Sequence, residues 1–137
     1  YSFSKKISTV QIADLSDSSL NKLIQNIKNH SSQDDIFFVM DFDKKNVLSY
    51  YIRFFAQRPI YFDNSISMHE DGVLEYKSRY EKVKNIESFN FNHIFHEFKN
   101  EFRYLLVPSN SKFNLYKKSP VFVTKTYYCY DNYSFKN

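Results

Sequence analysis

The stretch Ile36–Phe55 constrains this chain more than any other. IFFVMDFD is followed by KKN and then VLSYYIRFF, the densest apolar material in the sequence. Two runs rich in aromatic and β-branched residues around a polar break carry the pattern of a β-hairpin. Asp43, Lys44, Lys45 and Asn46 supply the turn, where Asp and Asn side chains can bond their own backbone. Side chains alternate along a strand, so Ile36, Phe38, Met40 and Phe42 share one face, and Phe37, Val39 and Asp41 the other. In the second run Leu48, Tyr50, Ile52 and Phe54 oppose Val47, Ser49, Tyr51, Arg53 and Phe55. Neither face is plainly polar, which places the pair at the centre of a sheet covered by helices or by a partner. The second run has a rival reading, because Val47, Leu48, Tyr51, Ile52 and Phe55 also fit helical spacing. Its β-forming residues and the short break before it favour the strand.

Around this hairpin the chain reads as strand, helix, hairpin, one or two strands, helix, hairpin. Residues 1–12 alternate as a strand suited to a sheet edge. Leu20, Leu23, Ile24 and Ile27 form one apolar stripe and predict a helix over Ser16–His30, capped by Ser16 or Asp17. Ile60–Ile66 reads as a third strand, with Pro59 at the position where a missing N–H costs least. Residues 72–80 read as a fourth strand, with the start of a helix as the alternative. Phe91, Ile94, Phe95, Phe98, Phe102, Leu105 and Leu106 predict a helix over Ser88–Leu106, ended by Pro108. FNLYKK and VFVTKTYYCY read as a final pair of strands joined through Ser119 and Pro120. The expected fold class is α+β: a mainly antiparallel sheet of five to seven strands with two packed helices, a single domain over 1–137.

Composition narrows the function classes. Gly72 is the only glycine, and phosphate loops and nucleophile elbows need glycines where backbone meets ligand. Nucleotide-cradling enzymes are therefore disfavoured, and turns must rely on Asn, Asp, Ser and Pro. One cysteine, Cys129, excludes an intramolecular disulfide and a Cys-cluster zinc site, and it suits a reducing, cytoplasmic setting. No apolar run approaches the roughly 18–20 residues of a membrane span, so no membrane association is expected. The first residues carry no signal-peptide pattern, and an opening Tyr1 in place of Met reads as a processed product or a piece of a longer protein. The net charge of +4 and a pI near 9.0 permit contact with nucleic acid or an acidic protein without requiring either.

Four constellations could carry chemistry. Asp63 at a strand end, followed by a strand bearing Glu75 and Lys77 on one face, resembles the core of the PD-(D/E)xK nucleases over Pro59–Lys77. The resemblance implies that Asp63 and Glu75 hold a divalent metal and that Lys77 orients the attacking water. The same charges also read as solvated strand edges. His93 and Glu97 stand at i and i+4, with His96 beside them and Glu101 one turn on, a set that reads as a zinc or acid–base group or as a solvated helix face. Asp41 and Asp43 alternate at a strand end, a spacing that can bind magnesium, although the turn alone accounts for Asp43. Finally, basic residues are mixed with tyrosines throughout the chain, a mixture that suits base stacking and protein interfaces alike.

No motif here is strongly catalytic, so the sequence favours a non-enzymatic binding module acting through an aromatic, mildly basic surface. Its centre is expected at Tyr51, Arg53, Phe55, Tyr127 and Tyr128, with a protein as the first partner expected and nucleic acid as the second. Small bacterial inhibitor, immunity and chaperone-like proteins share this composition, an analogy at the level of fold. No cofactor is expected, and the alternative is a metal-dependent nuclease or toxin domain built on Asp63, Glu75 and Lys77. Sequence does not fix the oligomeric state.

Overall fold

The computed structural model describes residues 18–41, 48–63, 70–89, 91–111 and 119–132. Among them are four α-helices and a four-stranded mixed sheet. Helix α1 spans Ser18–His30 and strand β1 spans Phe37–Val39. Helix α2, Leu48–Tyr51, runs directly into a π-helical turn over Ile52–Ala56. Helix α3 spans Glu70–Val83; a 3₁₀ turn at Ile86–Ser88 separates it from α4, Phe91–Glu97. Strands β2, Tyr104–Pro108, β3, Phe122–Val123, and β4, Tyr127–Asp131, complete the sheet.

The strands lie in the order β1-β2-β4-β3. β1 pairs in parallel with β2, Phe37 opposite Tyr104 and Val39 opposite Leu106. β2 and β4 are antiparallel, as are β4 and β3. On the far side of β1 a single parallel bridge joins Phe37 to Ile60. There the Phe37 N–H donates to the Pro59 carbonyl at 2.9 Å, and the Tyr61 N–H donates to the Phe37 carbonyl at 2.8 Å.

Strand alternation divides the apolar side chains between two clusters. Phe37, Val39, Tyr104, Leu106 and Cys129 pack with Leu23, Ile24 and Ile27 of α1 and with Leu48, Tyr51, Ile52 and Ala56 of the α2–π segment. Phe38, Met40, Leu105, Val107 and Tyr130 pack with Val83, Ile86, Ile94, Phe95 and Phe98 of the other helices. The sheet is thus the middle of three layers, which is why its parallel pair is apolar on both faces. The carbonyls at the end of α1 are met by side chains from elsewhere. Arg58 donates to the Ser31 carbonyl at 3.2 Å and to the Ser31 hydroxyl at 2.9 Å, and the Tyr104 hydroxyl donates to the His30 carbonyl at 2.9 Å.

The helix expected over Ser16–His30 is present from Ser18. The expected sheet of five to seven mainly antiparallel strands with two helices is not: there are four strands, one pair parallel, and four helices among the described residues. Three segments account for the difference. The run Val47–Phe55 folds as helix and π turn from Leu48 on, its helical spacing prevailing over its β-forming residues, because β1 takes its neighbours from Ile60 and β2. Residues 72–80 lie within α3, which shields Phe62: the Tyr76 ring sits 4.9 Å from it. The helix expected to Leu106 stops at Glu97, and one further turn ends in the left-handed Asn100, φ 68°. Tyr104, Leu105, Leu106 and Val107 are buried on both faces and form the second strand of the sheet. A short run buried all round has no period to separate strand from helix. The third strand expected at Ile60–Ile66 reduces to the Ile60 bridge among the described residues. The final pair divides within VFVTKTYYCY, at Thr124–Thr126. The strand expected over residues 1–12, the hairpin turn at Asp43–Asn46 and the segment FNLYKK lie outside the described residues.

Candidate functional site: an aromatic ladder beside the strand ends

The sequence Tyr50-Tyr51-Ile52-Arg53-Phe54-Phe55 places aromatic residues in two i, i+4 pairs, which meet on a helical surface. Tyr50 and Phe54 stack at 5.7 Å with an interplanar angle of 18°; Tyr51 and Phe55 stack at 5.6 Å and 21°. Edge contacts join the pairs, Tyr50 to Tyr51 at 5.6 Å and Phe54 to Phe55 at 5.0 Å. The four rings make a ladder with an inner rail, Tyr51 and Phe55, and an open rail, Tyr50 and Phe54. Tyr51 is only 4% exposed, whereas Tyr50 and Phe54 are 45% and 53% exposed. The π turn closes when the Gln57 N–H donates to the Ile52 carbonyl, and Gln57 takes left-handed angles, φ 55°, ψ 47°. Single π turns occur often at functional sites.

Beside the ladder lie the carboxyl ends of the parallel strands, the edge where open α/β sheets place their ligands. Two residues beyond β1 stands Asp41, and three beyond the Ile60 bridge stands Asp63; each is 5% exposed. The Tyr127 hydroxyl donates to Asp41 Oδ2 at 2.9 Å, tying the start of β4 to the end of β1. Burial, reinforced by the Asp41 carboxylate, pushes that phenol well above the ordinary tyrosine value. Arg53 reaches Asp63 Oδ2 at 2.8 Å and so braces the π turn against the strand end. The Arg53 contact thereby holds the ladder in place.

The five expected contact residues do not form one exposed patch. Tyr51 is buried, and Arg53, Phe55 and Tyr127 are partly buried on the same side of the sheet. Tyr128 packs against the opposite apolar cluster. Helices pack on both faces of the sheet, and the exposed rings Tyr50 and Phe54 sit on the α2–π segment. Asp63 is at its strand end, but Glu75 and Lys77 are on α3, where positions i and i+2 do not share a face. Glu75 pairs with Arg79 at 2.6 Å, and Lys77 is exposed. His93, His96 and Glu97 are exposed on α4, with the His93 ring 3.9 Å from Phe89. Asp43 lies outside the described residues. Cys129 is fully buried, and burial raises its thiol well above the ordinary value, against a nucleophilic role. Among the described residues no group of three His, Cys, Asp or Glu could hold a metal ion, and no helix is long and apolar enough to cross a membrane.

Sequence reasoning passed over the exposed rail itself, because the strand reading put Tyr50 and Phe54 on the face opposite Tyr51 and Phe55. The i, i+4 spacing of the four rings is the signal that finds it. No protein-family model matches the chain, and neither a curated protein nor a solved structure resembles it.

Proposed function

We propose that the chain is a binding module, with no catalytic step of its own, that meets a macromolecular partner through the α2–π ladder. The observation that supports this reading is the stacked Tyr50–Phe54 pair left open to solvent. Aromatic rings exposed and already held in place are the usual anchors of interfaces, since they bring large contact area and lose little freedom on binding. The inner rail and the Arg53–Asp63 pair supply that rigidity.

A double variant, Tyr50→Ser with Phe54→Ser, tests the reading. Its melting temperature should stay close to that of the parent, because both rings are outside the apolar clusters. Partners captured from a native lysate, with and without nuclease treatment, should be lost or reduced at least tenfold in the variant. Identical captures by parent and variant would remove the ladder as the contact surface.

A further inference from the structure

The two helical layers differ in charge, and the difference bears on the partner. Residues 18–30 and 48–58, which supply α1 and the α2–π segment, contain Lys22, Lys28, Arg53 and Arg58 and no Asp or Glu at all. Residues 70–101, the layer on the other face, contain seven Asp or Glu against five Lys or Arg. Among the described residues, the helical segments that carry the ladder therefore contribute no carboxylate of their own, and the two that lie beside it, Asp41 and Asp63, are buried. α1 lies against the π turn, with Leu23, Ile24 and Ile27 in the same cluster as Ile52 and Ala56. Its exposed positions include Lys22 and Lys28 together with the neutral side chains of Asn21, Gln25 and Asn29. Arg58 links the two segments, donating to the Lys28 carbonyl at 3.5 Å. Arg53 is engaged by Asp63, so among the described residues of this layer Lys22 and Lys28 are the exposed cations.

Resting on the reading of the ladder as a contact surface, we propose that this layer binds single-stranded nucleic acid, with unpaired bases stacked on Tyr50 and Phe54 and the phosphate backbone running past Lys22 and Lys28. Base stacking on an exposed ring tolerates any sequence, because every base has a π-face. It requires bases that are free of a partner strand, so a duplex offers the rings nothing. That the described helices of this layer present no exposed carboxylate matters as much as the lysines, since an exposed carboxylate beside the path would repel each phosphate it met.

The test uses the full chain and a fluorescently labelled oligo-dT of about 15 nucleotides, near the upper end of known single-strand site sizes. Anisotropy should show binding that weakens steeply with salt, and a duplex of equal length should bind at least tenfold more weakly. Phe54→Ser should weaken oligo-dT binding by roughly tenfold with the salt slope unchanged, as expected for the loss of stacking. Lys22→Gln with Lys28→Gln should reduce the salt slope by about one to two, as expected for lost phosphate contacts. Each variant should keep the parent's melting temperature. No oligo-dT binding at low salt, or binding indifferent to Phe54→Ser, would overturn the proposal. Equal binding of poly-glutamate, with the same dependence on Lys22 and Lys28, would overturn it in favour of an acidic protein partner. The two readings fail separately: captures lost in the Tyr50→Ser/Phe54→Ser variant alongside a chain that ignores oligo-dT leave the ladder a protein-binding surface, and captures unchanged in that variant remove both.

Discussion

At the scale of single residues, the polar side chains that matter most are those placed where water cannot reach. Tyr127 is an example: its hydroxyl answers a carboxylate that the fold has taken out of water at the end of β1. Tyr127→Phe keeps the ring and removes only the donor. The variant should lose about 1.5–3 kcal/mol of stability, the range for a hydrogen bond to a charged group. Urea denaturation with an unchanged m-value checks this, and a loss below about 0.5 kcal/mol would mean that other partners satisfy Asp41. Asn132 works in a similar way. Its side-chain amide donates to the Phe98 and Phe102 carbonyls, both at 3.0 Å, and fastens the end of β4 to the turn that follows α4. Surface pairs such as Glu75–Arg79 matter little by comparison, because their charges stay hydrated.

At the scale of elements, α1 was legible in the sequence because its stripe has one period and one buried side, and β1 because aromatic and β-branched residues crowd a run apolar on both faces. α2 was ambiguous for a physical reason: Tyr, Phe and Ile favour strands on their own, and only the sheet's choice of neighbours for β1 made the helix the better use of them. β2 was hidden because Leu105 and Leu106 continue the helical stripe of Phe98 and Phe102 numerically. The signal that breaks it is Asn100, a residue that accepts the left-handed geometry ending a helical turn. The ladder was legible in its composition and not in its geometry, which needed the helix first. The scarcity of glycine also shows at this scale. Gln57 occupies a left-handed position where a glycine would carry no penalty. Gln57→Val should cost about 1–2 kcal/mol, because a β-branched side chain fits that region worst, while Gln57→Gly should be neutral or stabilising. Chemical denaturation of the two variants decides it; equal losses in both would show that the Gln57 side chain, and not its backbone, is what the π turn requires.

At the scale of the whole molecule, burial of tyrosines links stability to pH. Tyr61 and Tyr130, each 1% exposed, have their hydroxyls pushed up to about 12, chiefly by burial. The folded state holds these protons more tightly than the unfolded chain, so their contribution is complete below about pH 10 and is lost as pH rises towards 12. Stability should therefore fall over that interval, with a slope of up to about 1.4 kcal/mol per pH unit for each tyrosine. Urea melts at stepped alkaline pH, followed with tyrosinate absorbance, check it; flat stability to pH 12 would contradict the burial of both rings. The parallel register of the sheet has a consequence of a different kind, in the order of synthesis. One edge of β1 finds Ile60 only 23 positions later, but the other waits 67 positions for β2. At a ribosome adding about 5–20 residues per second, that edge stays open for about 3–13 s. During that time α1, α2, α3 and α4 have all emerged with apolar faces and no finished sheet to rest on. Until β2 emerges those faces have no finished sheet to cover them, and a translation product that stops short of Tyr104 has no central strand around which to fold.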